Sequence, residues 1–285
     1  MAPPAHLPLG ERLKALAQTL QFAWFAGHVT LLISVFRYFL SYLTFNYYSS
    51  TAQAAYRLAF VSAAATYGIV VYKGHIARGR LQGSLPSIAL KLAGDENVQY
   101  LGMALVWLYS RQISAALLPF TVYSVFHVAT YSRAHLIPTL QPPQGGAPAS
   151  PTSPSAPKPA PKQSPLAETI GRFVKQYYDT SMDLVAGLEI MLLLRLAVSI
   201  LTFSKGSFVL LFIYLAFFRA RYSQSTFVQQ GVRHFTARVD ASVSHQSTPP
   251  AVRQGWESFK GIVRQAYEST DLGRLIGKAD AKKPQ

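Results

Sequence analysis

Side chains able to do chemistry are few and scattered in this sequence. The seven histidines show no metal-ligand spacing: His6, His28, His75, His127, His135, His234 and His245. Glu189 and Arg195 are the only opposite charges close together in the second of two long apolar runs, and their separation puts them on different faces of one helix. The sequence has no cysteine, nucleophile elbow, phosphate-binding glycine loop or dinucleotide fingerprint. We therefore predict no catalytic residues, no metal and no cofactor.

The composition is typical of a membrane protein. Half of the residues are hydrophobic and 14% are charged, whereas about a quarter are charged in an ordinary soluble chain. The formal net charge is nevertheless +15. Because the basic residues flank apolar segments and form no dense patch, their placement is evidence about membrane topology and against nucleic acid as a partner.

Two long apolar runs are each interrupted near the middle by a short polar segment. Val98–Tyr131 is broken at Ser110–Gln112, and Gly187–Phe218 is broken at Ser204–Gly206. A single helix over the first run would reach about 50 Å, far beyond a hydrocarbon core of about 30 Å. We therefore predict two helical hairpins, whose turns keep the charges near the headgroups and away from the bilayer centre. The turn residues are Arg111 in the first hairpin, and Lys205 and Gly206 in the second.

Two earlier apolar runs predict full spans. Phe22–Phe45 ends in a cluster of tyrosines typical of headgroup level, and Ala54–Tyr72 is rich in small residues that let helices approach closely. The short connection between them predicts a tight antiparallel pair. The segment that follows carries Lys73, His75, Arg78, Arg80 and Lys91, and the positive-inside rule places it in the cytosol.

These elements predict an all-α, polytopic integral membrane protein with two spans, two helical hairpins and an amphipathic C-terminal tail. The predicted regions are a cytosolic head (1–21), a membrane region with two spans and the first hairpin (22–137), a Pro-rich disordered linker (138–165), an approach helix with the second membrane hairpin (166–218), and a basic amphipathic cytosolic tail (219–285). The linker holds ten of the eighteen prolines and no acidic residue, so it cannot build a core. It is interpreted as a spacer, with an SH3 ligand as the alternative.

The tail contains a stretch, Val252–Ser269, with the periodicity of an amphipathic helix. Its apolar arc and basic rim provide the candidate membrane-binding residues: Arg253, Trp256, Phe259, Lys260, Val263, Arg264 and Tyr267. Aromatic side chains beside a basic rim are typical of a helix that lies in the headgroup layer of an anionic bilayer. The alternative is a helix that packs on the surface of another protein.

Two long segments resemble the transmembrane protein 33 family, in its fungal form. They are Gln99–Arg133, and Leu188–Ser225 with its Arg-Tyr-Ser close. With the two spans, the resemblance covers most of 22–239, while the Pro-rich linker and the end of the tail differ from the animal pattern. The resemblance implies residence in the endoplasmic reticulum membrane and nuclear envelope, with roles in membrane shaping and nuclear pore distribution. It carries over no catalytic residues.

Two classes of function remain open from the sequence. The first is a non-enzymatic membrane-shaping or scaffold protein, whose partners are the lipid bilayer, anionic lipids, and membrane-shaping or nucleoporin proteins, with a homo-oligomer left open. The second is a small membrane transporter or channel. Transport paths usually need acidic or paired groups inside the membrane, and every acidic residue lies outside or at the edge of the apolar runs. The sequence therefore favours the first class.

Overall fold

The computed structural model describes residues 7–141, 164–203 and 206–270. Within these ranges the chain is helical without a strand, which confirms the predicted fold class. The α-helices are α1 (Leu9–Ala17), α2 (Leu20–Leu43), α3 (Ser50–Val71), α4 (Leu85–Ala93), α5 (Glu96–Tyr109), α6 (Leu117–Tyr131), α7 (Ile137–Leu140), α8 (Pro165–Leu201), α9 (Ser207–Gln224), α10 (Thr226–Val243) and α11 (Pro250–Ser269). Most of the predicted linker lies outside the described residues. The chain divides into a membrane unit, Met1–Ala220, and a tail unit, Arg221–Gln285.

Three helices of the described chain are long and apolar enough to cross a membrane, judged by length and composition. They are α2, α3 with the π-helical turn Tyr72–Ile76 that extends it, and α8. The first two match the predicted spans and pack against each other as an antiparallel pair. A Cβ atom at Gly27 of α2 would lie 2.5 Å from Cγ2 of Thr66, so the close approach depends on the missing side chain.

The first hairpin is formed by α5 and α6. Asp95 caps α5, because its side chain accepts hydrogen bonds from the backbone N–H groups of Asn97 and Val98. At 14 residues, α5 reaches only about 21 Å, which is less than a hydrocarbon core. Just after the turn, Oγ of Ser114 lies 3.0 Å from the Tyr38 hydroxyl and also contacts the hydroxyl of Tyr42, near the end of α2.

The second hairpin pairs α8 with α9. The approach helix and the first limb are one continuous helix of 37 residues. The return of α9 along α8 is fixed by the Tyr214 hydroxyl, which donates to the Glu189 carbonyl at 3.0 Å. Ser204 and Lys205 of the predicted turn lie outside the described residues. Gly206 has φ +77°, a left-handed conformation that favours glycine.

An aromatic cluster forms the centre of the membrane unit. The Tyr100 ring stacks on Tyr67 at 5.4 Å and meets the edges of Phe120, Tyr123 and Phe217 at 5.1 to 5.5 Å. Lipid tails are as apolar as these rings, so burial alone gives little drive for association inside a bilayer. Ring geometry and close packing therefore hold α3, α5, α6 and α9 together.

Candidate membrane interface

The described turn residues of the two hairpins meet at one end of the membrane unit. Nη2 of Arg111, in the first turn, donates to Oγ of Ser207 at 3.0 Å, one residue beyond Gly206. Ser207 is buried and also accepts from Oγ of Ser199 at 3.0 Å. The predicted turn residues Arg111 and Gly206 therefore lie near each other, and the Arg111 guanidinium makes one hydrogen bond to a hydroxyl of the second hairpin.

A second arginine, Arg57, lies near the same end. Its Nη1 donates to the carbonyl oxygen of Trp107 at 3.2 Å and to that of Leu108. These carbonyls belong to the last turn of α5, where no intrahelical N–H is left to pair with them. The guanidinium therefore caps the C-terminal end of α5 within the membrane region by pairing with its free carbonyl groups. Sequence reasoning missed this role because the partner carbonyls lie about 50 residues away.

The opposite end of the membrane unit, here called the basic end, carries the head and the basic segment, which follows α3 and contains Lys73, Arg78 and Arg80. Nε2 of His75 lies 2.8 Å from Oδ2 of Asp95, and Nη1 of Arg12 donates to the Thr139 carbonyl at 2.6 Å. Burial raises the pKa of Asp95, but hydrogen bonds from His75 and the Asn97 amide outweigh it, so the pKa is lower than usual. The basic segment and the described hairpin turns thus occupy opposite ends of the membrane unit.

Glu189 departs from the expectation for acidic residues. It lies at the edge of its apolar run in the sequence, yet the structure buries it completely, and its Oε1 accepts the Tyr100 hydroxyl. The cavity beside it measures about 10 Å³, at the lower limit for one water molecule. Glu189 is therefore a packed, hydrogen-bonded carboxyl with no aqueous path in this cavity.

In the tail unit, α11 leaves a row of apolar side chains uncovered. The side chains of Phe259, Ile262 and Val263 are 54%, 65% and 49% exposed. Trp256 is half-buried, because its indole Nε1–H donates to Oδ1 of Asp240 on α10 at 2.6 Å. The uncovered row therefore extends away from the contact between α10 and α11.

The basic residues of α11 have partners within the tail unit. Nζ of Lys260 lies 2.9 Å from Asp240 and 2.9 Å from Glu257, while Nε of Arg264 lies 3.5 Å from Glu268. Two further members of the predicted set have contacts as well. Arg253 donates to the Val243 and His245 carbonyls at 3.2 and 2.9 Å, and the Tyr267 ring meets Tyr222 edge-on at 5.5 Å.

Asp240 is the residue in the tail that sequence reasoning missed. Hydrogen bonds from Trp256 and Lys260 lower its pKa. Glu257 and Asp240 in turn raise the pKa of Lys260. The sequence does contain a carboxylate on α10 and a Trp-x-x-x-Lys pair on α11. Their contact depends on how the two helices pack, which the sequence alone does not show.

The fold and its two opposite polar ends define a multi-pass helical membrane protein. A model of the family described as Transmembrane protein 33/Nucleoporin POM33 matches residues 11–268. The chain therefore belongs to this family, as the sequence resemblance predicts.

Named relatives agree with this family. Nucleoporin POM33 of Chaetomium thermophilum is 54% identical over 278 residues, which cover 96% of each chain. Tetra-spanning protein 1 of Schizosaccharomyces pombe is 31% identical, over 90% of this chain and 87% of its own. Pore membrane protein of 33 kDa of Saccharomyces cerevisiae is 29% identical, over 90% and 88%. No solved structure matches the chain. The predicted location in the endoplasmic reticulum and nuclear envelope membranes is confirmed.

Proposed function

We propose that the protein is a non-enzymatic membrane-shaping and scaffold component that acts at nuclear pores and in the adjoining endoplasmic reticulum. The family supports a membrane-associated role at the nuclear pore. Shaping is the finer part of the proposal, and it rests on two elements that act on a bilayer differently. These are the short first hairpin in the membrane unit and α11 in the tail unit.

The observation that carries the proposal is the uncovered apolar row of α11. A water-exposed helix with Phe259, Ile262 and Val263 about half exposed or more needs a surface to cover them. A headgroup layer is such a surface, since an amphipathic helix buries its apolar face to a depth of about 5–10 Å there. Insertion into one leaflet alone expands that leaflet and favours curvature.

The first hairpin adds to the same effect. Its first limb, α5, reaches only about 21 Å from the basic end, so the hairpin fills the leaflet at that end more completely than the other leaflet of a hydrocarbon core of about 30 Å. A body that is wider in one leaflet than in the other acts as a wedge. With the basic end in the cytosol, the hairpin and α11 expand the same leaflet.

The test is binding of the tail, residues 221–285, to small anionic vesicles. Replacing Phe259 and Ile262 together by serine is expected to weaken binding by tenfold or more, because two buried apolar side chains are lost. Circular dichroism is expected to show vesicle-induced helix in the native tail and much less in the variant.

A matched control keeps the number of substitutions and changes the polar face. Ser258→Ala with Gln265→Ala is expected to leave vesicle binding unchanged, since neither residue is in the apolar row. If the Phe259→Ser, Ile262→Ser tail bound vesicles as well as the native tail, the row would have to cover a protein surface, and membrane shaping by α11 would be wrong.

The buried Glu189 is the one observation that favours transport. A carboxyl inside the apolar bundle is a feature of many ion paths. Here it is packed against Tyr100 beside a cavity of about 10 Å³, which offers no continuous path. Absence of proton or ion flux in liposomes that contain the purified protein is the expected result, and flux lost in Glu189→Gln would establish transport.

A further inference from the structure

A cavity of about 430 Å³ lies at the basic end of the membrane unit. Its walls come from the first turns of α2, from the π-helical turn Tyr72–Ile76 after α3, and from α6 with the π-helical turn Ser132–Leu136. π-Helical turns are rare and often mark functional sites. Two of them at the walls of one cavity distinguish this place from the rest of the described chain.

One π-helical turn leaves open space beside the cavity. Gly74 lines it, and a Cβ atom built there meets nothing within 4 Å. The backbone of this turn is therefore directly accessible. The missing side chain at this position therefore leaves free space at the wall of the cavity.

The cavity carries positive charge that is not neutralised. Lys73 and Arg78 line it, and none of its lining residues is a carboxylate. Neither residue forms an ion pair or side-chain hydrogen bond anywhere in the part of the chain that the structure describes. Asp95, in the segment before α5, is already engaged by His75 at 2.8 Å.

Polarity changes with depth in this cavity. Lys73 and Arg78 follow the end of α3, at the edge of the apolar region, and Arg78 is exposed. Trp24 lies about one turn inside α2, and Ile69 and Val70 lie about one turn before Lys73 along the chain. Cations at the helix ends and apolar walls one turn deeper reproduce the order of phosphate and acyl chain in a leaflet.

We propose that this cavity binds one anionic phospholipid molecule. Lys73 and Arg78 hold the headgroup phosphate, and the start of an acyl chain lies against Trp24, Ile69 and Val70. The charge complementarity favours an anionic lipid over a neutral one. The site belongs to the membrane unit and does not depend on vesicle binding by α11.

The test uses the full chain, purified from bilayers of phosphatidylcholine with a minor share of phosphatidylserine. Native mass spectrometry after extraction into a mild detergent counts the phosphatidylserine molecules retained per chain. The native protein is expected to retain one. Lys73→Gln with Arg78→Gln is expected to lower its retention about 30-fold, and the matched control Arg80→Gln, a cation of the same segment outside the cavity, to leave it unchanged.

A second variant tests the apolar part without changing charge. Gly74→Leu is expected to fill the cavity and abolish retention of the lipid. The control is Gly102→Leu, an exposed position on α5 where a Cβ also meets nothing within 4 Å. Gly74→Leu decides the question even if the double charge variant fails to fold, which size-exclusion chromatography would reveal.

Competition separates a lipid from a free phosphate. Inorganic phosphate and glycerophosphoserine, which lack acyl chains, are expected to leave the bound phosphatidylserine in place. Displacement by either at comparable concentration would overturn the lipid assignment and indicate a phosphate site. Equal retention in the native chain, the charge variant and Gly74→Leu would also overturn the proposal.

Discussion

The membrane unit and the tail unit satisfy their cations in different ways. In the membrane unit, Arg57 pairs with the carbonyls at the end of α5, Arg111 with Oγ of Ser207, and Arg12 with the Thr139 carbonyl. In the tail unit, Lys260 and Arg264 pair with carboxylates on exposed helix surfaces. These three arginines therefore have neutral partners, whereas the tail unit combines ion pairs with the carbonyl contacts of Arg253.

The solvent explains the difference. Inside a bilayer a backbone carbonyl left at a helix end finds no water, so a guanidinium that reaches it removes a large penalty. In water the same carbonyl is hydrated, and exposed ion pairs contribute little. The tail therefore gains little from its charges, and its uncovered apolar row is the feature that needs a partner.

The largest effect expected from this comparison is that of Arg57→Ala. Removing the guanidinium leaves the Trp107 and Leu108 carbonyls unpaired, and the free energy of unfolding is expected to fall by about 3 kcal/mol. Unfolding of the purified protein in mixed micelles with increasing SDS measures it.

The matched control is Arg37→Ala, because Arg37 is exposed and donates only to the Ser41 and Thr51 hydroxyls. Its effect is expected to be well below that of Arg57→Ala. If both substitutions lowered the free energy of unfolding equally, the loss in Arg57→Ala could not be assigned to the unpaired carbonyls at the end of α5.

Sequence patterns identified the elements better than the contacts between them. The apolar runs predict α2 and α3, and the polar break at Ser110–Gln112 coincides with the end of α5, because apolar runs and their polar interruptions are local features of the sequence. The partners of Arg57 and the burial of Glu189 depend on residues 50 and 89 positions away. No local pattern encodes such distances, so these features needed the structure.

A smaller effect is expected where α2 meets α3. Gly27→Ala brings a methyl group to 2.5 Å from Cγ2 of Thr66, and the two helices must separate or Thr66 must shift. The free energy of unfolding is expected to fall by about 1–2 kcal/mol in the same SDS titration. Adding Thr66→Ala to Gly27→Ala is expected to restore much of the loss, while Gly68→Ala, which meets nothing within 4 Å, serves as the neutral control. If adding Thr66→Ala did not restore the free energy of unfolding, a contact other than Gly27–Thr66 would limit how closely α2 and α3 pack.

The smallest effect concerns Asp240 in the tail unit. Hydrogen bonds from Trp256 and Lys260 lower the pKa of Asp240, so the charged carboxylate favours the contact between α10 and α11 above the usual aspartate pKa of about 3.9. This contribution is lost as the pH falls through the lowered pKa.

Residues 221–285 contain Trp256 as their single tryptophan, so the tryptophan fluorescence of that fragment reports on the surroundings of this side chain. The emission is expected to change with a midpoint below pH 3.9. The transition is expected to be absent in Asp240→Asn and unaltered in Glu268→Gln, whose carboxylate pairs with Arg264 instead. A transition that persisted in Asp240→Asn would assign the pH response to another carboxylate.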